Sequence, residues 1–318
     1  MCLPKWWQYF RGGKHFSAFA TFFLYTVGDN MRTVALDFPK SILIETLNLC
    51  QGNCKFCPYT RIRKNEKTVF FDTERFKELI KEMSNHEVKR ITLFNNNEPL
   101  LDYRICEFIK FAHENLKDTE ITLSTNGILL TMDKLIELKA VGLTTLYISI
   151  PTINKENYKE IMGVSLEKLL KLLEKIEDKE LCKMIRIAVP KTKYYDHDLM
   201  KEKLGKYLIC EWDLEYKENW KIDDIYNEVI DFVHYVGPCD RPMDQMVISS
   251  NGNVIICCRD WNYQNIVGNV YEKSIYDIWH GKEMKKIQEH IAYGDYDSID
   301  CCKDCNMNKN YYLKKFKE

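Results

Sequence analysis

The chain has no surplus of charge of either sign. Of its 318 residues, 46 are Lys or Arg and 47 are Asp or Glu, which leaves a formal charge of −1 with histidine neutral. Such a balance gives no electrostatic footprint for a polyanion, so no nucleic-acid partner is expected. Long apolar runs are missing too: the stretch Phe16 to Val27 is shorter than the about 20 apolar residues that a membrane-spanning helix needs. No convincing cleavable signal stands at the start, and the chain is not a small secreted domain in which 13 cysteines would read as disulfide staples. Their clustering on one N-terminal loop and in the last quarter fits metal ligation in a reducing cytoplasm. Cys2, Cys106, Cys182 and Cys210 stand apart and read as small buried hydrophobes. Trp6, Trp7, Tyr9 and Phe10, beside Lys5, Arg11 and Lys14, suit contact with a membrane interface; a plainer alternative is that translation begins at Met31.

What is present describes an ordinary globular protein, 45% hydrophobic and 29% charged, with length for two domains. From about residue 40, short β-rich runs alternate with amphipathic segments, which argues for βα units and a parallel sheet. Strands are expected at Ile42 to Leu47, Arg90 to Phe94, Ile121 to Ser124, Thr145 to Ile150, Ile185 to Val189 and Tyr207 to Trp212. Helices are expected near Thr73 to Met83, Tyr103 to Glu114, Met132 to Ala140, Leu166 to Ile176 and His197 to Leu204. Six such repeats make an α/β fold with a partial (β/α)6 barrel of parallel strands, whose functional groups belong at the C-terminal edge of the sheet.

Cys50, Cys54 and Cys57 follow the run Ser41 to Asn48, with three and then two residues between them. Three thiolates on one tight loop leave one iron of a four-iron cluster without a protein ligand, and an open iron is a place for chemistry. Structural zinc is the alternative, but a closed zinc site needs a fourth ligand, and no His or further Cys follows within the reach of the loop. Ferredoxin clusters likewise take four thiolates. The spacing, with Phe56 just before the last cysteine, resembles the signature of the radical S-adenosylmethionine (SAM) superfamily.

The motifs after the next strands extend that resemblance. Asn95-Asn96-Asn97-Glu98-Pro99 resembles the family's Gly-Gly-Glu-Pro segment, which implies that Asn96, Asn97 and Glu98 hold the amino group of SAM. Asn replaces both glycines, a tolerable change because Asn readily takes positive φ, though it crowds the approach to a ligand. A polar turn is the alternative. Ser124-Thr125-Asn126-Gly127 is similar to the family's Ser/Thr-Thr-Asn-Gly turn, implying that Ser124 and Asn126 contact the ribose or carboxylate of SAM. Ile148-Ser149-Ile150-Pro151 resembles the Ser-Ile/Leu-Asp segment, with Pro151 where Asp is usual, and leaves Ser149 for a ribose contact.

A second cysteine set begins at Cys239. Two apolar runs flanking Ser250-Asn251-Gly252-Asn253 read as a β-hairpin that carries Cys257 back towards Cys239. Ser274 and Asp277 form an N-cap pair for a helix through Ile278 and Trp279, and Cys301, Cys302 and Cys305 follow. This order resembles the SPASM/Twitch extension of radical SAM enzymes in its shorter, Twitch form, because no cysteine follows Cys305. The resemblance implies Cys239, Cys257, Cys302 and Cys305 as ligands of a second 4Fe-4S cluster, with zinc again the alternative. Cys258 and Cys301 are left over for packing, as alternative ligands or as a hydrogen-atom donor. The expected organisation is an N-terminal extension over 1–35, a radical SAM partial barrel over 36–235, and a small α+β Twitch-type domain with a hairpin and a helix over 236–318.

Among such enzymes the chain most resembles the small ones that include cyclitol dehydrogenases. That resemblance implies two 4Fe-4S clusters, SAM, and a one-electron reductant such as flavodoxin or ferredoxin. The implied reaction is hydrogen abstraction from a small polar substrate by a 5′-deoxyadenosyl radical, for a net two-electron oxidation of an alcohol. Arg186, Lys191, Glu211 and Asp213 are candidates for the base that takes the hydroxyl proton. The alternatives are modification of a ribosomal peptide by epimerisation or cross-linking, and a noncatalytic iron-sulfur electron carrier or sensor.

Overall fold

The computed structural model describes residues 25–26, 31–32, 35–62, 65–213, 239, 241–303 and 305. The aromatic and basic residues 5–14 lie outside that set. Two short strands, β1 (Tyr25–Thr26) and β2 (Met31–Arg32), pair antiparallel. The remaining strands are β3 (Ser41–Ile44), β4 (Arg90–Thr92), β5 (Glu120–Thr125), β6 (Thr145–Ser149), β7 (Ile185–Lys191), β8 (Leu208–Asp213), β9 (Gln245–Ile248), β10 (Asn253–Ile255) and β11 (Ile266–Asn269). They form one sheet in the order β11-β10-β9-β3-β4-β5-β6-β7-β8.

From β3 to β8 every neighbouring pair is parallel, giving the six parallel strands that the sequence pattern calls for. Their centres are apolar on both faces: Ile42, Leu43, Ile91, Ile121, Leu123, Leu146, Ile148 and Ile187 are all buried. This is the continuous apolar character of a parallel strand covered by helices. Thr73–Met83, Met132–Ala140 and His197–Leu204 are helical over the expected residues. Each starts where a short polar side chain takes a free backbone N–H: Asp72 accepts from Arg75 N, Thr131 from Lys134 N and Asp196 from Leu199 N.

Two further helices, Lys155–Met162 and Lys179–Met184, carry no long apolar stripe and escape the sequence pattern. Asn154 caps the first, whose Tyr158, Ile161 and Met162 are buried, and Gly163 ends it in the left-handed region at φ 72. A 3-10 turn, Pro99–Leu101, follows β4.

In the C-terminal part, β9 and β10 pair antiparallel around Asn251 and Gly252, whose φ of 83 suits glycine at the turn. β9 also runs parallel to β3, in register from Ser41 with Gln245 to Ile44 with Ile248. The hairpin therefore continues the barrel's own sheet, a pairing the sequence pattern does not disclose. Ser274 caps the helix Ile275–Trp279, as its pairing with Asp277 predicts, and the helix Lys282–Tyr293 follows. Trp279 Nε1 donates at 2.7 Å to Leu36 O, in the segment leading into β3, and within the C-terminal part Gln288 Nε2 donates to Pro242 O at 3.2 Å.

Candidate active site

The cysteine loop leaves the C-terminal end of β3 and returns at Phe70, which bridges to Leu47. Asn48 closes its base, accepting from Val69 N at 2.7 Å and donating to Lys67 O at 2.9 Å. Within the loop, Cys57 N donates to Cys54 O and Thr60 Oγ1 donates to Cys57 O, a turn that opens the short helix Tyr59–Ile62. Gly52 N donates to Cys50 Sγ at 3.3 Å. A Cβ added at Gly52 would stand 3.3 Å from Cys50 Sγ and 3.6 Å from Cys54 Sγ, so both sulfurs border one backbone cradle that a side chain there would crowd. Burial pushes the Cys50 thiol up to about 12, opposed by the Gly52 N–H and reinforced by Glu98 and Cys57. Burial likewise raises Cys54, with Cys57 and Cys50 adding to it, and burial raises Cys57. Thiols packed together away from water hold their protons until a cation joins them, and bound iron is such a cation.

The turn after β4 meets this loop. Glu98 N donates to Leu49 O at 2.9 Å, and the Glu98 carboxylate is 1% exposed. It accepts from Thr125 Oγ1 at 2.7 Å, Asn126 N at 2.8 Å and Leu100 N at 3.1 Å. Burial nevertheless outweighs these donors and brings its carboxyl up to about 7. A carboxylate offers about four lone-pair positions, so one remains for an incoming cation such as an ammonium. Beside it, Asn95 Oδ1 and Nδ2, Asn96 Nδ2 and Asn97 Nδ2 are buried without a hydrogen-bond partner among the described residues. Buried amides left unpaired are costly and mark a place where a polar ligand completes the structure.

The turn after β5 closes the third side. Asn126 Nδ2 lies 3.9 Å from Cys50 Sγ, and Gly127 turns the chain at φ 76. The structure thus gathers Cys50, Cys54, Cys57, Asn96, Asn97, Glu98 and Asn126 at one end of the sheet. Ser124 and Ser149, half-buried at the ends of β5 and β6, make no side-chain hydrogen bond among the described residues. Phe56 is half-buried against the core, and Lys55 N donates to Ile161 O, tying the loop to the helix after β6.

Sequence reasoning missed two residues here. Thr125, inside a motif that singles out its neighbours, is a donor to Glu98. Glu45, the one charge in the run Ser41 to Asn48, is fully buried and accepts from Asn96 N. A lone carboxylate in an apolar run was the available signal.

The C-terminal thiols form a second neighbourhood. Burial pushes Cys239 up, and Cys257 and Cys305 lie near enough to raise it further. Two arginines border the set: Arg241 Nη1 lies 3.8 Å from Cys257 Sγ and 3.9 Å from Cys258 Sγ, and Arg259 Nη1 lies 3.2 Å from Cys305 Sγ. Arg259 N donates to Cys257 Sγ at 3.4 Å, and the hydrogen bond from Cys258, helped by both arginines, lowers the Cys257 thiol. Cys301 Sγ and Cys302 Sγ are 3.8 Å apart. Among the described residues no three His, Cys, Asp or Glu side chains converge as a cage for a single ion.

Family models match at both neighbourhoods: the radical SAM superfamily over residues 44–200, and SPASM, an iron-sulfur cluster-binding domain, over residues 239–306. The chain belongs to the radical SAM superfamily. As a radical SAM enzyme it uses SAM and a 4Fe-4S cluster, and its SPASM-type part binds further iron and sulfur. The residues present fit these groups: soft thiols border the Gly52 cradle, and amide nitrogens unpaired among the described residues and a buried carboxylate lie beside them.

Relatives of the radical SAM chain differ in how far the likeness runs. The S-adenosyl-L-methionine-dependent 2-deoxy-scyllo-inosamine dehydrogenase of Niallia circulans is 23% identical over 83% of this chain and 92% of its own length. A GTP 3′,8-cyclase of Clostridium perfringens is 31% identical, but over 44% of this chain and 42% of its own length. Among solved structures, BtrN in complex with AdoMet and 2-DOIA aligns with a TM-score of 0.62 at 21% identity, over 85% of this chain and 93% of that one. SuiB of Streptococcus suis bound to the precursor peptide SuiA aligns with a TM-score of 0.65 at 18% identity, over 89% and 74%. These two share the fold.

One expectation about the enzyme's base is corrected. Arg186 is the second residue of β7, at the edge where the strands begin, and its Nη1 donates to Lys183 O at 2.7 Å. It stands at the wrong end of the sheet for this site. Lys191 and Glu211 lie at the other end, where Glu211 Oε1 is 2.6 Å from His197 Nδ1. The side chain of Asp213 lies outside the described residues. No helix among the described residues is long and apolar enough to cross a membrane.

Proposed function

We propose that this radical SAM enzyme is a dehydrogenase that oxidises a secondary alcohol of a sugar or cyclitol to a ketone. In this reading Cys50, Cys54 and Cys57 hold the first cluster. Asn96, Asn97 and Glu98 take the amino-acid end of SAM, with Asn126, Ser124, Ser149 and Phe56 around the remainder. Cys239, Cys257, Cys302 and Cys305 hold the second cluster. When bound, the first cluster and SAM supply reductive cleavage to methionine and a 5′-deoxyadenosyl radical, which takes a hydrogen atom from carbon.

The observation that carries this reading is the extent of likeness. It spans 92% of the dehydrogenase, whereas it stops at 42% of the cyclase. A C-terminal unit with four protein thiolates leaves no iron open to substrate, so its natural task is to accept an electron. The balance then closes: the alcohol gives one hydrogen atom to the radical, one proton to a base and one electron to the second centre. Glu98 serves by presenting a buried carboxylate to the SAM ammonium. A flavodoxin- or ferredoxin-type donor supplies the first electron.

The test is anaerobic turnover of the iron-loaded enzyme with SAM, a reductant and a panel of aminocyclitols and sugars deuterated at the carbinol carbon. One ketone per 5′-deoxyadenosine, with deuterium carried into the 5′-deoxyadenosine, supports the dehydrogenase. Products that keep all their hydrogens, or turnover only with a peptide, sink it.

A further inference from the structure

Glu45 lies immediately after β3 and is 0% exposed. Its carboxylate collects donors from three separate parts of the chain. Oε1 accepts from Asn96 N at 3.3 Å; Oε2 accepts from Ser250 N at 3.2 Å and from the Tyr263 hydroxyl at 3.3 Å. The first donor belongs to the turn whose Asn95, Asn96 and Asn97 amide nitrogens are buried and unpaired among the described residues. The second belongs to the β9–β10 hairpin turn, and the third to the loop between β10 and β11.

That last loop is built onto the C-terminal thiols. Asp260 N donates to Cys257 O at 3.0 Å, and Tyr263 N donates to Asp260 O at 3.1 Å. The Asp260 carboxylate accepts from Gln264 N at 2.9 Å and from Asn265 N at 2.7 Å, while Asn265 Oδ1 accepts from Cys301 N at 2.9 Å. Tyr263 itself is held at φ 53, one of two described non-glycine residues in the left-handed region. Backbone strain of this kind persists where the surroundings over-determine it. Here the tightly bonded loop sets the backbone, and the side chain it aims ends on Glu45.

Two of these three donors are backbone N–H groups, which cannot change role. A carboxyl oxygen faces each of them, so glutamine at this position would turn an NH2 against at least one. The Asn96 N–H is thereby held by Glu45. Two residues on, Glu98 N is fixed to Leu49 O next to Cys50.

We propose that Glu45 is a positioning residue that sets the Asn95–Asn97 backbone for the amino-acid end of SAM and, through Tyr263, makes that setting depend on the C-terminal cysteine loop. This rests on the assignment of the SAM site given above. SAM affinity at the first cluster then responds to changes made in the loop between β10 and β11.

The test compares the wild-type enzyme with Glu45→Gln, Tyr263→Phe and the double variant, all anaerobically loaded with iron. Labelled SAM is bound at equilibrium without reductant, and the EPR signal of the reduced first cluster is recorded with and without SAM. Loss of a hydrogen bond to a charged group predicts SAM binding weakened about 10-fold or more in Glu45→Gln and about 3-fold or more in Tyr263→Phe. Because both act along one connection, Tyr263→Phe weakens binding by less than about 2-fold once Glu45 is Gln. Iron content of Tyr263→Phe stays at the wild-type value, and its SAM-induced EPR change is diminished. Wild-type affinity in both single variants, or effects that multiply independently, overturns the inference while leaving the SAM site standing. A wild-type enzyme that binds no SAM overturns the site assignment, and the inference falls with it. Should Glu45→Gln fail to fold, the Tyr263→Phe affinity decides alone.

Discussion

Replacing Glu98 by Gln separates a buried charge from the hydrogen bonds that hold it. In the folded protein the carboxyl is buried and releases its proton at about 7, against an ordinary value of 4.5. As pH rises through that interval the unfolded chain loses this proton and the folded chain keeps it, so the wild type loses stability from 4.5 up to about 7 and is level above. At about 1.4 kcal/mol for each pH unit, the span amounts to ~3 kcal/mol. Gln cannot titrate, but it turns an NH2 towards a shell of donors from Thr125, Asn126 and Leu100, which costs about 1–3 kcal/mol at any pH. The wild type is therefore the more stable protein at pH 5, and its advantage shrinks by ~3 kcal/mol, or reverses, at pH 8. Urea unfolding of the iron-free, SAM-free proteins at both pH values measures the difference, and the other carboxylates cancel because both proteins carry them. Parallel pH dependences would refute the reasoning, since they would mean that the Glu98 carboxyl titrates at the same pH folded and unfolded.

Three further outcomes are expected. On the proposed ligand sets, the Cys50/Cys54/Cys57→Ala triple variant retains about half of the iron of the wild type and cleaves no SAM, read by iron analysis and 5′-deoxyadenosine formation. Gly127→Ala is destabilised by roughly 2–4 kcal/mol in denaturant titration: its φ of 76 disfavours any side chain, and the new Cβ would lie 2.8 Å from Leu169 Cδ2. Arg259→Met moves the potential of the second centre to more negative values in a redox titration, because it removes a cation 3.2 Å from the Cys305 sulfur.

Much of the site was legible because its motifs are local. Each is a few residues long and follows one strand, and parallel strands carry their ends to the same edge, so spacing alone brings Cys50, Glu98 and Asn126 together. What spacing does not carry is pairing at a distance. Glu45 meets partners 51, 205 and 218 residues away, and nothing near it in the chain announces them. The contact of β9 with β3 was hidden for the same reason. Lys155–Met162 was hidden by shortness, since eight residues show too few turns for a stripe to emerge. Arg186 was misjudged at a strand's beginning, where one residue's place along β7 decides which edge it serves.

The pairing of β9 with β3 bears on how such an enzyme can be divided. Cut away everything after β8, and the ladder of β3 stands open, with the unpaired N–H and C=O groups of Ser41 to Ile44 facing solvent. Bare parallel edges recruit other chains, so the radical-generating half prepared alone is an aggregation hazard. Exchange of C-terminal units between relatives faces the same demand: the incoming piece must supply a strand that seals this seam before its metal chemistry can matter.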